Sequence, residues 1–140
     1  AIAAGVAEGL NLGENAKSAL ISRSFAEMTR YAKKFKADKN TLFGLSGLGD
    51  LILTCSSKNS RNTQFGIKLA SSKYDNFLDL LKSQEVTEGY YTVKAVYNIS
   101  QKKNIDMPIM ESVYNILYKQ HDLKEELSNL LSRPITEEKI

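Results

Sequence analysis

The sequence predicts an all-α protein, an irregular bundle of several helices, and three observations support this fold class. Apolar residues recur at three- and four-residue spacing along most of the chain, which is the period of an amphipathic helix. The two prolines, Pro108 and Pro134, leave a long stretch without a strong helix breaker. No segment shows the alternation of a half-buried strand, and no fixed repeat indicates a solenoid. A chain of 140 residues is close to the roughly 150 expected of one domain, so we expect a single domain over residues 1–140.

The N-terminal half is predicted to contain one long helix followed by shorter ones. Residues 16–35 carry a broad apolar stripe, and Lys33, Lys34 and Lys36 at the C-terminal end suit the negative end of the helix dipole. Asp38 is a candidate N-cap for the next segment. Among residues 42–55, Gly44, Gly47 and Gly49 stand between apolar residues, a spacing that favours short helices and tight turns. The chain also begins without methionine and enters an apolar run at once, so we expect it to be part of a longer protein.

The C-terminal half is predicted to form five further helices. The fourth has Asp106 as its cap and Pro108 in its first turn, where proline is tolerated. The last begins at Asp122, with Glu125 three residues later in the manner of a capping box, and ends near Arg133. The five helices are expected at residues 61–69, 74–81, 87–102, from 106 onwards and 122–133.

Charge and composition limit the function classes. The 19 basic and 16 acidic residues leave a net charge of +3, too small a surplus to require nucleic acid or an anionic membrane but compatible with an anionic small molecule. The single cysteine, Cys55, rules out an intrachain disulfide, and we expect it to be a packed thiol. His121 is the only histidine, and no metal site is predicted. No apolar run reaches the roughly 20 residues of a membrane-crossing helix, so a cytoplasmic protein is expected.

Asp50 and Thr54 are the first candidate site residues. Asp50 follows the glycine-containing segment and precedes three apolar residues, so its carboxylate is expected near a helix start and partly shielded from water. Thr54 lies four residues later and therefore on the same helix face. The two side chains could line one wall of a site. Alternatively, Asp50 caps the helix and Thr54 bonds back to the backbone.

Ser60, Arg61 and Asn62 form the second candidate site. If Ser60 caps the following helix, the first backbone N–H groups point out of a positively polarised helix end, beside a guanidinium and a carboxamide. Arginine binds phosphate oxygens through paired hydrogen bonds, and Lys58 adds positive charge nearby, so a phosphate ester is the natural ligand. Alternatively, these residues form an ordinary surface cap with a solvated arginine.

Several short segments, in this order, resemble one known family. They closely resemble the C-terminal domain of bacterial NAD(P)-dependent glycerol-3-phosphate dehydrogenases, and the resemblance covers nearly the whole chain. The ordered combination of the motifs is specific, although each motif alone is weak. The segments are residues 4–10 (AGVAEGL), 13–17 (GENAK), 47–51 (GLGDL), 54–55 (TC), 60–62 (SRN), 88–90 (EGY) and 107–109 (MPI).

The resemblance implies an activity and a missing partner domain. Family members interconvert sn-glycerol 3-phosphate and dihydroxyacetone phosphate with NAD or NADP, a reaction that feeds phospholipid synthesis. An N-terminal Rossmann domain binds the cofactor in that family, and the general base is a lysine in a Lys-Asn pair just upstream of Ala1. Neither lies within this sequence. We therefore expect residues 1–140 alone to be inactive and to bind cofactor poorly.

The family pattern also assigns roles to individual positions. Asp50 and Thr54 match residues that face the reacting end of the substrate, and Asp50 would orient the upstream lysine. Ser60, Arg61 and Asn62 match residues that hold the substrate. The positions that match cofactor contacts are Arg61, Val86 and Glu88.

Two further questions stay open at this stage. A rival function is a helical interaction or nucleic-acid-binding module that uses the basic residues 33–39 and exposed tyrosines. Its weakness is that the basic residues do not continue along one face with interleaved aromatic residues. A solvated helix end explains the lysines better. For the oligomeric state, a homodimer is one alternative.

Overall fold

The computed structural model describes residues 1–71, 77–83 and 86–134. Within these ranges the chain is helical with short connections and contains no β-strand, so the prediction of an all-α fold is confirmed. One π-helical turn, Leu45–Gly49, joins two of the α-helices. The α-helices are α1 (Ile2–Gly9), α2 (Glu14–Lys34), α3 (Lys39–Phe43), α4 (Asp50–Ser56), α5 (Arg61–Ala70), α6 (Phe77–Lys82), α7 (Glu88–Lys103), α8 (Pro108–Lys119) and α9 (Leu123–Leu131).

Helix α1 lies at the centre of the bundle and packs most closely on α5. All residues from 2 to 7 of α1 are buried. A Cβ atom on Gly5 would lie 2.1 Å from the carbonyl oxygen of Thr63, and one on Gly66 would lie 2.1 Å from that of Ile2. No real Cβ comes so close to a backbone oxygen, so glycine at both positions allows the two helices to touch along their backbones. This contact fixes the position of α5 against α1.

Helix α2 is the long helix that the sequence predicted, with its start and end shifted by one or two residues. Lys33 and Lys34 lie in its last turn, where positive charge is favourable, as expected. The Arg23 guanidinium donates hydrogen bonds to the carbonyl oxygens of Leu130 and Arg133, the second at 2.9 Å. These bonds fasten the C-terminal end of α9 to the middle of α2.

Stacked tyrosines join α7 to α8. The rings of Tyr97 and Tyr114 stack with their centroids 3.8 Å apart, and Tyr118 stacks on Tyr90 at 4.7 Å. The Tyr118 hydroxyl donates a hydrogen bond of 2.6 Å to the carbonyl oxygen of Tyr90, and burial raises the pKa of this phenol. Because Tyr90 lies in the first turn of α7, the pair holds the start of that helix against α8.

The predicted helix caps are mostly confirmed. The side chains of Asp38, Ser60 and Asp122 each accept a backbone N–H of the helix that follows. The prediction for Asp106 is wrong, because Met107 occupies the N-cap and Pro108 is the first helical residue of α8. The carbonyl oxygen of Asp106 instead accepts a bond of 2.7 Å from Nε of Arg30 on α2.

One predicted helix is described only in part. The pattern places a helix at residues 74–81, and the structure has α6 at Phe77–Lys82. Residues 72–76 lie outside the described part of the chain, so the predicted start of this helix stays a prediction. The two neighbouring helices, α5 and α7, agree with the predicted bounds to within one residue.

Candidate functional site

A cavity of about 220 Å³ opens between the start of α1, the start of α5 and helices α2, α4, α7 and α8. Its walls are mainly aliphatic, with a few polar side chains among them, which is the usual character of a small-molecule site. The polar side chains in the wall belong to Ser24, Glu27, Asn62 and Thr92. Apolar wall residues include Ile2, Leu20, Ile21, Met28, Leu51, Cys55, Val93, Met107, Ile109, Met110 and Val113.

Of the predicted site residues, Asn62 lines this cavity. Asp50 and Arg61 do not line it, although each immediately precedes a lining residue, Leu51 and Asn62 respectively. Both residues are therefore next to the cavity lining in sequence, but their side chains are exposed to solvent. Their convergence on one bound molecule stays a prediction.

Asp50 is the first residue of α4, and its carboxylate is exposed. Its position in the sequence predicted partial shielding from water, and that prediction is wrong. The alternative, a capping role, is not seen either, because the N-cap is Gly49, which offers no side chain. The negative charge in the first turn is still favourable to the helix dipole. Thr54, one turn later, is half-buried, and its carbonyl oxygen accepts a bond of 2.7 Å from Oγ1 of Thr63.

The start of α5 is held in place by contacts on both sides. The Ser60 hydroxyl accepts the N–H of Thr63 at 3.3 Å, which confirms the predicted cap. Gln64 donates a bond of 2.8 Å to the carbonyl oxygen of Lys58, and the Lys58 ammonium lies 3.4 Å from a carboxylate oxygen of Glu8. The first N–H groups of α5 have no carbonyl acceptor within the helix, and these contacts hold them in a fixed position at the helix start.

Arg61 and Glu88, two predicted site residues far apart in sequence, form an ion pair across 2.9 Å. The two side chains are 70% and 71% exposed, so solvent screens the ion pair and it adds little to the stability of the fold. Because the ion pair is exposed, the Arg61 guanidinium can release the Glu88 carboxylate and bind a phosphate instead, and the released carboxylate stays in contact with water. Val86, the other predicted cofactor contact, is half-buried and packs against the hydrophobic core.

Asn62 makes contacts that the sequence analysis did not predict. Its carboxamide oxygen Oδ1 accepts a bond of 2.6 Å from the Thr87 hydroxyl and another of 3.1 Å from the Gly89 N–H. From the sequence, Thr87 was predicted only to stand at the start of a helix, and no role was predicted for Gly89. No short-range pattern could have found this contact, because it joins residues 25 and 27 positions apart.

Glu27 is a second residue that sequence reasoning missed. It is 3% exposed, lies in the wall of the cavity, and accepts the N–H groups of Ile109 at 2.5 Å and Met110 at 3.2 Å. Burial raises the pKa of Glu27 to about 7, and the two N–H groups and Arg30 counteract part of that rise. A glutamate in the middle of an amphipathic helix usually faces solvent, so nothing in the local sequence marks it as buried.

An ion-paired cluster lies near the C-terminal end of α1, at Glu8. The Lys17 side chain is only 11% exposed, and its ammonium lies 2.8 Å from the Glu8 carboxylate, which Lys58 also contacts. The hydrogen bond from Lys17 lowers the pKa of Glu8 below its usual value. Because Lys17 lies on α2 and Lys58 in the loop before α5, their ion pairs with Glu8 connect both of these segments to α1.

Among the described residues, no group of three or more histidine, cysteine, aspartate or glutamate side chains has the arrangement of a metal site. None of the helices described is both long and apolar enough to cross a membrane. Cys55 is buried, at 1% exposed, as expected of a packed thiol.

Comparison with known proteins identifies the family. The family model described as "NAD-dependent glycerol-3-phosphate dehydrogenase C-terminus" matches residues 1–128. A glycerol-3-phosphate dehydrogenase (NAD(P)+) of Solidesulfovibrio magneticus is 46% identical over 139 residues, which are 99% of this chain and 42% of the relative. The corresponding protein of Colwellia psychrerythraea is 44% identical over 133 residues, 95% of this chain and 40% of the relative.

A solved structure agrees with the sequence relatives. The crystal structure of glycerol-3-phosphate dehydrogenase from Coxiella burnetii superposes with a TM-score of 0.87 at 38% identity, over 94% of this chain and 40% of that one. The chain thus spans about two fifths of the length of the proteins it matches. The match of the family model over most of the sequence shows that the chain belongs to the family of NAD-dependent glycerol-3-phosphate dehydrogenase C-terminal domains.

Proposed function

We propose that this chain, as a single domain over residues 1–140, is the substrate-binding part of an NAD(P)-dependent sn-glycerol-3-phosphate dehydrogenase. The observation that carries the proposal is the start of α5, where Arg61 and Asn62 are held against the start of α7 beside the cavity. A helix N-terminus, a guanidinium and a carboxamide together suit a phosphate ester. The relatives' names supply the rest of the substrate, a three-carbon polyol phosphate.

The proposed roles follow from the chemistry of each side chain. Ser60, Arg61 and Asn62 bind the phosphate and a neighbouring oxygen of the substrate. Binding energy at the phosphate then fixes the position of C2, the carbon that loses hydride, which is the way remote contacts accelerate a reaction. Asp50, exposed at the start of α4, orients the general base, and Thr54 contacts the reacting end.

The complete reaction requires groups that this sequence does not contain. Oxidation of C2 removes a hydride to the nicotinamide ring of NAD or NADP and a proton from the C2 hydroxyl to a base. We propose that an upstream Rossmann domain binds the nucleotide and that an upstream lysine is the base, with its pKa lowered by burial and neighbouring charges. On the side of this chain, Arg61 and Glu88 would contact the nucleotide, with Val86 beside them.

The cellular setting forms part of the same proposal. A cytoplasmic dehydrogenase of this type, as a homodimer or a monomer, would supply or consume glycerol 3-phosphate for phospholipid synthesis. Neither nucleic acid nor a membrane is needed as a partner, because the candidate site binds a small anion.

The proposal is tested by Arg61→Ala in the complete protein that carries this chain. If Arg61 binds phosphate, the loss of a charged hydrogen bond should cost about 1.5 to 3 kcal/mol, or a roughly 10- to 150-fold decrease in kcat/KM with a raised KM for glycerol 3-phosphate. Steady-state oxidation of glycerol 3-phosphate with NAD+ and with NADP+ is the measurement.

Lys102→Ala is the matched control, because Lys102 is an exposed cation at the opposite end of α7 from Glu88. It should leave the kinetics unchanged. Arg61→Ala kinetics equal to those of the wild-type enzyme would contradict the phosphate assignment. A wild-type protein that oxidises no glycerol 3-phosphate with either nucleotide would contradict the proposed function.

A further inference from the structure

The orientation of the Asn62 carboxamide is fixed by two donors. A backbone N–H can only donate, so the atom that accepts from Gly89 at 3.1 Å is the oxygen Oδ1 and not the amino nitrogen. The Thr87 hydroxyl donates to the same oxygen at 2.6 Å. With Oδ1 accepting both bonds, the two N–H groups on Nδ2 are those with which Asn62 can bind a ligand.

Thr87 contributes its hydroxyl to Asn62 rather than to its own helix. Thr87 is the N-cap of α7, a position where a threonine hydroxyl commonly accepts a backbone N–H of the first turn. It makes no such capping bond here. Thr87 is 6% exposed as a residue, so its hydroxyl would be left buried and unpaired if Asn62 turned away. The contact between α7 and α5 therefore takes the place of a helix cap.

Gly89 allows the close approach on which this contact depends. A Cβ atom at this position would lie 2.3 Å from Oδ1 of Asn62 and 2.9 Å from its Cγ. Any other residue would push the carboxamide out of its present position, since both distances are shorter than real Cβ contacts. Gly89 and Asn62 also line the same cavity.

We propose that Thr87 and Gly89 are positioning residues, which fix the Asn62 carboxamide so that its amino group donates to an oxygen of the substrate. This inference rests on the proposed function, since it takes a phosphorylated polyol as the ligand. An amino group held in this way binds an oxygen that only accepts, such as a phosphate oxygen or a carbonyl oxygen. Turned by 180°, the carboxamide would present its own oxygen and repel such a group.

The test is a double-mutant cycle between Thr87 and Asn62 in the complete protein, with kcat/KM and KM for glycerol 3-phosphate as the measured quantities. Thr87→Val keeps the shape of the side chain and removes the donor, and we expect a decrease of about three- to tenfold in kcat/KM. Thr87→Ser, which restores the hydroxyl, should recover most of that loss. In an Asn62→Ala background, Thr87→Val should have no further effect, because the group that it positions is gone.

The alternatives predict different results. If Thr87 has a purely structural role, Thr87→Val should lower kcat/KM by the same factor in the wild-type and Asn62→Ala backgrounds, and rescue by Thr87→Ser should not depend on Asn62. This outcome would overturn the inference and leave the proposed dehydrogenase activity standing. A wild-type protein that oxidises no glycerol 3-phosphate would overturn the proposed function, and with it the ligand assumed here. If Thr87→Val fails to fold, Gly89→Ala provides a second double-mutant cycle with Asn62→Ala. We expect the same coupling between the two substitutions, and additive losses in kcat/KM would count against the inference.

Discussion

The buried carboxyl group of Glu27 should make the stability of this protein depend on pH in an unusual direction. Most carboxylates are more acidic in the folded state than in the unfolded chain, so proteins usually lose stability as the pH falls. Burial instead raises the pKa of Glu27 from 4.5 to about 7. The groups that face it are the N–H groups of Ile109 and Met110, the guanidinium of Arg30 and, with the opposite effect, the carboxylate of Asp106.

The sign and the size of the effect follow from these values. Between pH 4.5 and pH 7 the folded protein holds a proton on Glu27 that the unfolded chain has released, so the free energy of unfolding falls as the pH rises through this window. Glu27 contributes fully below pH 4.5, and its contribution is lost above pH 7. A tenfold change in proton affinity is worth about 1.4 kcal/mol, so the whole loss is about 3 kcal/mol.

The measurement is urea unfolding of the wild-type protein and of Glu27→Gln at intervals from pH 4.5 to pH 8. The glutamine does not ionise, so from pH 4.5 to pH 8 the unfolding free energy of the wild type should fall by about 3 kcal/mol relative to that of Glu27→Gln. Glu111→Gln, at an exposed glutamate on α8, is the control and should follow the wild-type profile. A constant difference between wild type and Glu27→Gln at every pH would refute the reasoning.

Two further expectations concern the backbone contact and the start of α4. Gly5→Ala should destabilise the protein by about 1 to 3 kcal/mol in urea unfolding, because its Cβ would overlap the Thr63 carbonyl oxygen. Gly44→Ala is the control, since the nearest atom to its Cβ would be 3.5 Å away, and equal stabilities of the two variants would contradict the packing argument. Asp50→Asn should lower kcat of the complete enzyme and lower its melting temperature only slightly, because the exposed carboxylate caps nothing and stabilises α4 only through the helix dipole. A lower melting temperature with an unchanged kcat would show instead that Asp50 acts on stability.

The helices that the sequence predicted correctly are those whose signals are local. The apolar stripe of α2, the caps at Ser60 and Asp122, and the first-turn proline of α8 each depend on residues within a few positions of one another. The error at Asp106 has the same origin. An aspartate one residue ahead of the true cap satisfies the local pattern equally well, and its contact with Arg30 on α2 is visible only in three dimensions.

The glycine-containing segment shows where local patterns stop being sufficient. Three glycines among apolar residues were correctly expected to give short helices and turns, but the π-helical turn between α3 and α4 was not predicted. At Gly47 a Cβ atom would lie 2.1 Å from the carbonyl oxygen of Leu42, so this glycine is required by the turn itself. Local composition indicates a break in the helix without specifying the geometry of the break.

The candidate site depends on long-range contacts, so Thr87 and Gly89, which we propose as positioning residues, could not be predicted from the local sequence. The residues predicted to bind substrate lie at one end of α5, and that helix is fixed at two places. Along its side, Gly66 lies against the backbone of α1, so α5 cannot move closer to or farther from the core without breaking a close-packed contact. At its start, Asn62 is bonded to Thr87 and Gly89. If substrate binds at Asn62, as we propose, it meets a carboxamide whose orientation the fold has already set, and little of its binding energy is spent on ordering the protein.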